Sequence, residues 1–318
     1  MLKRVFVNGR ELRAGWRFAL FVGIVWSLAA ALNWVVIHPL GYKYSPGWTP
    51  RDFILDGASA LATALVAAWL MSRIEHRSLA DYGMPLRGAF GTLFWKGVLW
   101  GFVPSALIVA MIWAAGGASF HGLALGGRPL ASSAALWGLA FLFVGLSEEF
   151  LYRGYAQFTL TTGMGFWPAA ILLSALFGGT HYFLKPMESW RDGLSVALYG
   201  MFWALTLRRT GSLWFAIGFH AMSDYADMVV FAEPNTGNNG QPLSGHLLNV
   251  SFHGPDWLTG GPCGTEASAL VFIILAGLFL LFNRFYPEVR FPLTQGDPQE
   301  RVAGLSGSPR GRPHSVGN

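Results

Sequence analysis

Glu148 and Glu149 stand at the end of an apolar run, Ala134 to Leu146, that reads as membrane-spanning, and Arg153 follows the second of them by four residues. A charge at the centre of a membrane helix costs about 2.5–3.5 kcal/mol on insertion scales, so three charges there need partners and mark a functional site. On a helix, Glu149 and Arg153 share a face and can pair, whereas Glu148 is rotated roughly 100° away. One carboxylate can then be held ionised by the guanidinium, and the other is free to face a cavity. Two more polar groups interrupt apolar segments: Phe177-Gly178-Gly179-Thr180-His181 and His220-Ala221-Met222-Ser223-Asp224. His220 and Asp224 are again four apart, a spacing that lets a carboxylate orient an imidazole and fix its tautomer. Asp227, seven residues after His220, is a rival partner on roughly the same face. Each group alone has a structural explanation: a helix-locking ion pair, an interhelical hydrogen bond, a cap. Two Glu, two His and an Asp on three separate helices can converge on one water or one metal ion.

The elements that must hold these groups are membrane helices. Of 318 residues, 53% are hydrophobic and 12% charged, against about a quarter charged in a soluble domain. The 40 glycines and 14 tryptophans suit close helix packing and interfacial aromatic belts. The expected fold is all-α, a polytopic transmembrane bundle of about eight membrane helices. Apolar segments fall near 16–37, 53–71, 90–115, 132–160, 168–184, 192–208, 212–231 and 268–286. The sixth is short, because Arg191 and Asp192 crowd its start. Lys3, Arg4, Arg10, Arg13 and Arg17 precede the first segment as in a signal peptide, but that segment is long enough to span and is read as an uncleaved helix. No internal repeat is visible, which weakens an inverted-repeat transporter reading.

Lys and Arg distribution places both termini in the cytoplasm. Arg73, Arg77, Arg87, Arg208, Arg209 and the C-terminal arginines then fall on one side. The long loop 232–267, with Glu233, Asp256 and Glu266 but no Lys or Arg, falls on the other. That loop is rich in Gly, Asn and Pro and is expected to be irregular. The domain reading is a cytoplasmic arm over 1–15, a transmembrane helical domain over 16–286, and a disordered cytoplasmic tail over 287–318. The net charge of +5 is small for a nucleic-acid binder; membrane lipid and a peptide or protein substrate are the expected partners, with no nucleic acid. Cys263 is the sole cysteine, so an intramolecular disulfide and a Cys-based zinc site are both excluded.

The ordered set Glu148-Glu149-x-x-x-Arg153, Phe177-x-x-x-His181 and His220-x-x-x-Asp224 resembles the signature of the CPBP intramembrane proteases. This family includes the type II CaaX prenyl endopeptidases and the bacteriocin-immunity (Abi) proteins. Tyr152-Arg153-Gly154 with Gln157, and Ser78 to Met84 ahead of the third helix, also resemble the family's pattern. The resemblance covers about 78–231, and Asp224 stands where the family often has Asn. It implies hydrolysis of a peptide bond in a membrane-embedded or lipidated substrate, with Glu148 as base for an attacking water and His181 positioning that water. His220 and Asp224 would stabilise the oxyanion or help bind a metal. Glu149 and Arg153 would support the cluster, or Arg153 would hold a substrate carboxylate. The family is commonly labelled metalloprotease, and zinc or another divalent metal on Glu148, His181, His220 and Asp224 is the corresponding expectation, although no His-Glu-x-x-His pattern is present. Competing readings are a non-catalytic scaffold or immunity factor of the same fold and a proton-coupled transporter. A bacterial inner membrane is the expected location, with the natural substrate unread. One strain stands out in this helix map: counted from residue 168, His181 lies nearer the outer side than Glu148.

Overall fold

The structure, a computed structural model, describes residues 7–8, 11–45 and 47–291. The expected tail therefore falls largely outside the described residues, as does most of the basic arm. All eight apolar segments read from the sequence fold as helical rods, in nine helices: α1 (Ala14–Leu32), α2 (Pro50–Glu75), α3 (Thr92–Ala114), α4 (Gly127–Glu149), α5 (Ala156–Met164), α6 (Phe166–Leu184), α7 (Trp190–Thr210), α8 (Trp214–Asp224) and α9 (Leu270–Phe285). Two short antiparallel sheets accompany them, β1 (Val7–Asn8) with β2 (Glu11–Leu12) and β3 (Ala118–Leu123) with β4 (Leu248–Phe252). Four rods are long and apolar enough to cross a membrane by length and composition: Ala14–Ile37, Pro50–Glu75, Thr92–Ala114 and Gly127–Met164. The fold is an all-α bundle, and the expected eight crossings are not all matched by helices meeting that criterion.

Local chemistry sets several helix ends. Thr49 caps α2 by accepting from the Asp52 amide, with Pro50 in the first turn. Ser189 caps α7 in the same way through Asp192, so the charges that crowd the sixth segment lie inside the helix, where an acidic first turn suits the helix dipole.

Glycine decides how closely the central helices approach. A Cβ on Gly97 would sit 2.1 Å from the Phe215 carbonyl oxygen, and one on Gly101 would sit 2.4 Å from that of Phe219. Gly218 meets Phe94 from the other side at 2.2 Å. Helices α3 and α8 are therefore in backbone contact, the small-residue packing that membrane bundles use in place of a hydrophobic driving force. Gly178 brings α6 against Gly193 of α7, and Gly145 brings α4 against α8.

The fourth rod is broken. A π-helical turn over Phe150–Tyr155 includes non-helical backbone at Gly154 (φ −80°, ψ −114°), and α5 then ends at Gly165. Glu148 stands seventeen residues before Gly165 and His181 sixteen after it. The chain turns at that glycine, whose φ is +86°, beyond the expected end at residue 160, and Glu148 and His181 line one cavity.

Loop 231–269 is folded rather than irregular. It contributes β4, several 3-10 turns and a single helical turn over Asp256–Thr259. Its buried Glu233 accepts from the Thr265 amide at 2.8 Å, and its Thr236 donates to Glu188, just ahead of α7, at 2.5 Å. Residues 287–291 lie back along α7, where the Arg290 and Phe291 amides donate to the Arg208 carbonyl.

Two outcomes are expected. Gly97→Val overpacks the α3–α8 contact and costs about 1–3 kcal/mol or more, whereas Gly179→Ala, with nothing within 4 Å of its added carbon, is neutral or gains about 0.5–1 kcal/mol; unfolding of the purified protein measures both. Burial raises Glu233 and Glu266 from 4.5 to about 7 in the folded cap, with mutual repulsion adding to it for Glu233 and with Asp224 and Glu188 adding to it for Glu266 against the opposing Lys185. These raised values mean that the folded cap holds protons the unfolded chain has lost. Their stabilisation is complete below about pH 4.5 and is lost as pH rises through 7. Hydrogen exchange across 232–267 is therefore expected to accelerate between pH 5 and 8 beyond its intrinsic increase.

Candidate active site

The expected residues come together. Glu148 and Glu149 close α4, Arg153 lies in the π-turn, His181 is near the end of α6, and His220 and Asp224 are on α8. Glu148, His181, His220 and Asp224 line one cavity of about 230 Å³. Its aromatic wall includes Phe53, Phe141, Phe177, Tyr199 and Trp203, and Lys185 and Glu266 also face it.

The two glutamates differ as helix geometry requires. Glu149 is fully buried, and its Oε1 accepts from Arg153 at 3.1 Å and from His220 Nδ1 at 2.9 Å. Glu148 keeps about a third of its side chain exposed (32%), its Oε2 3.7 Å from His220 Nε2. Asp224 Oδ2 lies 3.5 Å from the same nitrogen. His220 is thus ringed by three carboxylates. The partner that hydrogen-bonds its Nδ1 is Glu149, rather than the Asp224 that spacing alone suggested. Because a carboxylate only accepts, Nδ1 carries the proton and Nε2 is the nitrogen turned toward the cavity-lining acids. Asp227, the rival partner, makes no ion pair with His220 among the described residues, and its Oδ1 is buried without a hydrogen-bond partner.

His181 is fixed by its own helix. Its Nδ1 donates to the Phe177 carbonyl at 2.9 Å, which leaves Nε2 as the acceptor in the neutral ring. The Phe177 ring lies 4.6 Å from His181 and 6.1 Å from His220. The motif's phenylalanine is therefore the apolar spacer between the two imidazoles.

Arg153 is 1% exposed. Its guanidinium lies over Phe177, Trp203 and Tyr152 at 4.5, 5.2 and 5.5 Å. Gly200 of α7 makes room for it, since a Cβ there would sit 2.4 Å from an Arg153 nitrogen. Enclosed in this way, the guanidinium pairs with Glu149 through Nη1, while its Nη2 is buried without a hydrogen-bond partner. Behind it, Tyr155 donates to Glu75, and Tyr82 of the Ser78–Met84 segment packs edge-on against Tyr155 at 5.0 Å. Gln157 ties α5 to α6 by donating to the Phe166 carbonyl. The family-like residues outside the three clusters therefore brace the broken helix.

The expected metal can be tested against these donors. His220 has Nδ1 on Glu149 and two carboxylates beside Nε2, and His181 has Nδ1 on a carbonyl. Among the described residues, no three His, Cys, Asp or Glu side chains gather as a metal-binding group. Nδ1 held by an acceptor with Nε2 turned to the cavity is also the orientation of a metal-ligating imidazole, and the steps below are derived from the side chains alone.

Residues that spacing did not single out also belong to the site. Trp203 stacks on His220 with centroids 4.1 Å apart and planes at 12°. Lys185 and Glu266 reach the cavity from the end of α6 and from the cap. No pattern marks one tryptophan among fourteen, and Glu266 lies forty-two residues beyond Asp224.

Arg153→Ala is expected to leave the Glu149 charge buried and half-compensated, at a cost of about 3–5 kcal/mol. Arg153→Ala combined with Glu149→Gln is expected to recover part of that loss, and unfolding of both variants measures the difference.

Searches of curated proteins and of solved structures find no match to this chain. Over residues 129–226, from the start of α4 to just past Asp224, the chain is similar to a family model described as Type II CAAX prenyl endopeptidase Rce1-like.

Proposed function

We propose that this protein is an intramembrane endopeptidase in which Glu148 activates water. The observation that carries the reading is the division between adjacent carboxylates. Glu149 is sealed between Arg153 and His220, while Glu148 opens on the cavity shared with His181, His220 and Asp224. The family match supports a protease with a peptide or protein substrate at the membrane.

In this mechanism the Glu148 carboxylate takes a proton from water as that water's oxygen attacks the peptide carbonyl carbon. His181 accepts a hydrogen bond from the same water at Nε2. The carbonyl π-electrons move onto oxygen, and His220, donating from Nε2 in its charged form with Asp224 beside it, stabilises that oxyanion. Collapse of the tetrahedral intermediate breaks the C–N bond. Glu148 returns its proton to the leaving amine, so one water is consumed per peptide bond. Glu149 and Arg153 hold His220 in place and touch no reacting atom. The apolar wall formed by Phe53, Phe141, Phe177 and Trp203 suits a lipidated or membrane-embedded segment near the bond. The Lys and Arg distribution supports an orientation with both termini cytoplasmic, and a bacterial inner membrane is the location this reading assigns.

Purified wild type is expected to cut within a panel of lipidated and membrane-spanning peptides, and Glu148→Gln is expected to lose about 10²–10⁴-fold in kcat. Wild type cutting none of the panel would count against the protease reading; equal cleavage by Glu148→Gln would reject the base. Cleavage is expected to survive dialysis against a chelator, and loss restored by zinc would return a metal to the mechanism.

A further inference from the structure

Helix α7 carries none of the residues from which the site was read, yet it supplies a face to both of the charged groups that flank Glu149. Trp203 is 4% exposed. Its ring stacks on the His220 imidazole at 4.1 Å and 12°, and the Arg153 guanidinium carbon lies 5.2 Å from its centroid. It also lines the cavity and meets Phe177 edge-on at 5.8 Å. From this geometry we infer that Trp203 is a positioning residue of the site, fixing the plane of His220 so that Nδ1 stays on Glu149 and Nε2 stays aimed between Glu148 and Asp224.

The physical need is specific. The bond from Nδ1 to Glu149 Oε1 constrains His220 along one line within the ring plane. It leaves the imidazole free to tilt about that line, and a tilt swings Nε2 away from the acids it faces. A parallel aromatic plate at stacking distance opposes that tilt, because the attraction depends on offset and interplanar angle. The same plate meets the guanidinium that holds Glu149 from the other side, adding a cation–π contact in a desolvated setting. His220 and Arg153 therefore share two anchors, Glu149 Oε1 and the Trp203 ring. Its place on α7 is set by backbone contact, as Gly178 seats α7 on α6 and Gly200 clears the path for Arg153. A displacement of about 1 Å in such a group can cost about 10²-fold in rate.

The inference rests on the protease reading for its kinetic readout, so the test has a second arm that does not. Trp203→Phe keeps a plate, and Trp203→Leu keeps apolar volume without one. Both are expected to lower the melting temperature, since each leaves space behind the ring. In the full-length purified protein, Trp203→Leu is expected to lose about 10–100-fold in kcat with KM changed less than about threefold, and Trp203→Phe to stay within about threefold of wild type. A folded Trp203→Leu with wild-type kcat would overturn the inference. So would a folded Trp203→Phe as impaired as the leucine variant, or a loss confined to KM. In the second arm, nitrogen-15 spectra of histidine-labelled protein report His220 directly, assigned by comparison with His220→Gln. Wild type and Trp203→Phe are expected to share one Nδ1-protonated pattern, with Trp203→Leu shifted or exchange-broadened. Identical imidazole spectra in all three would overturn the inference whether or not any peptide is cut.

Discussion

The constraint on which this structure turns is the complete burial of Glu149. A carboxylate withdrawn from water pays a desolvation penalty of several kcal/mol, and attraction to a partner offsets it only with good geometry and with its remaining acceptor capacity used. Glu149 meets the first part of that condition through Oε1, with a guanidinium one helical turn away and an imidazole from a different helix, while its Oε2 is buried without a hydrogen-bond partner. Those two partners impose the rest. Arg153 must itself be enclosed, which requires Gly200 and the rings of Phe177, Trp203 and Tyr152. His220 must approach from α8, which requires α8 to be seated against α4 at Gly145 and against α3 at Gly97, Gly101 and Gly218.

Glu149 is buried between Arg153 and His220, and its neighbour Glu148 is the one that opens on the cavity. Consecutive helical positions point about 100° apart, so the two adjacent glutamates reach His220 from different directions, Glu149 at Nδ1 and Glu148 near Nε2, and only Glu148 lines the cavity. The helix break just after them serves the same end. A π-turn over Phe150–Tyr155 with the non-helical Gly154 precedes the turn at Gly165, and His181 and Glu148 line one cavity. The bracing of that break by Tyr82, Tyr155 and Gln157 explains why family-like residues far from any reacting atom sit where they do.

The candidate site was largely legible in the chain because each of its pairs is local. Glu149 with Arg153, and His220 with Asp224, are four residues apart and share a helix face whatever the tertiary fold. The eight apolar segments were legible for the same reason: composition over twenty residues is a local property. Which carboxylate orients His220 was not local. The spacing nominated Asp224, whereas the hydrogen bond comes from Glu149, seventy-one residues away. Trp203, Lys185 and Glu266 were invisible because a tryptophan, a lysine and a loop glutamate carry no spacing signal. The cap over 231–269 was read as irregular from its Gly, Asn and Pro content, which governs turns, but its order comes from β4 pairing with β3 and from carboxylates bonded across the loop.

By itself, then, the sequence determined a membrane-embedded helical bundle, the residue types of the site, and the different orientations of Glu148 and Glu149. These follow from hydropathy and from helix periodicity, both short-range. Only the tertiary structure decided which partners Glu149 bonds, the cavity that Glu148 and His181 share, the burial of Arg153, and the aromatic plate over His220. Those depend on how closely helices distant in sequence approach. That approach is set by where a missing Cβ lets two backbones touch, as at Gly97 and Gly178, and by where the chain turns, as at Gly165.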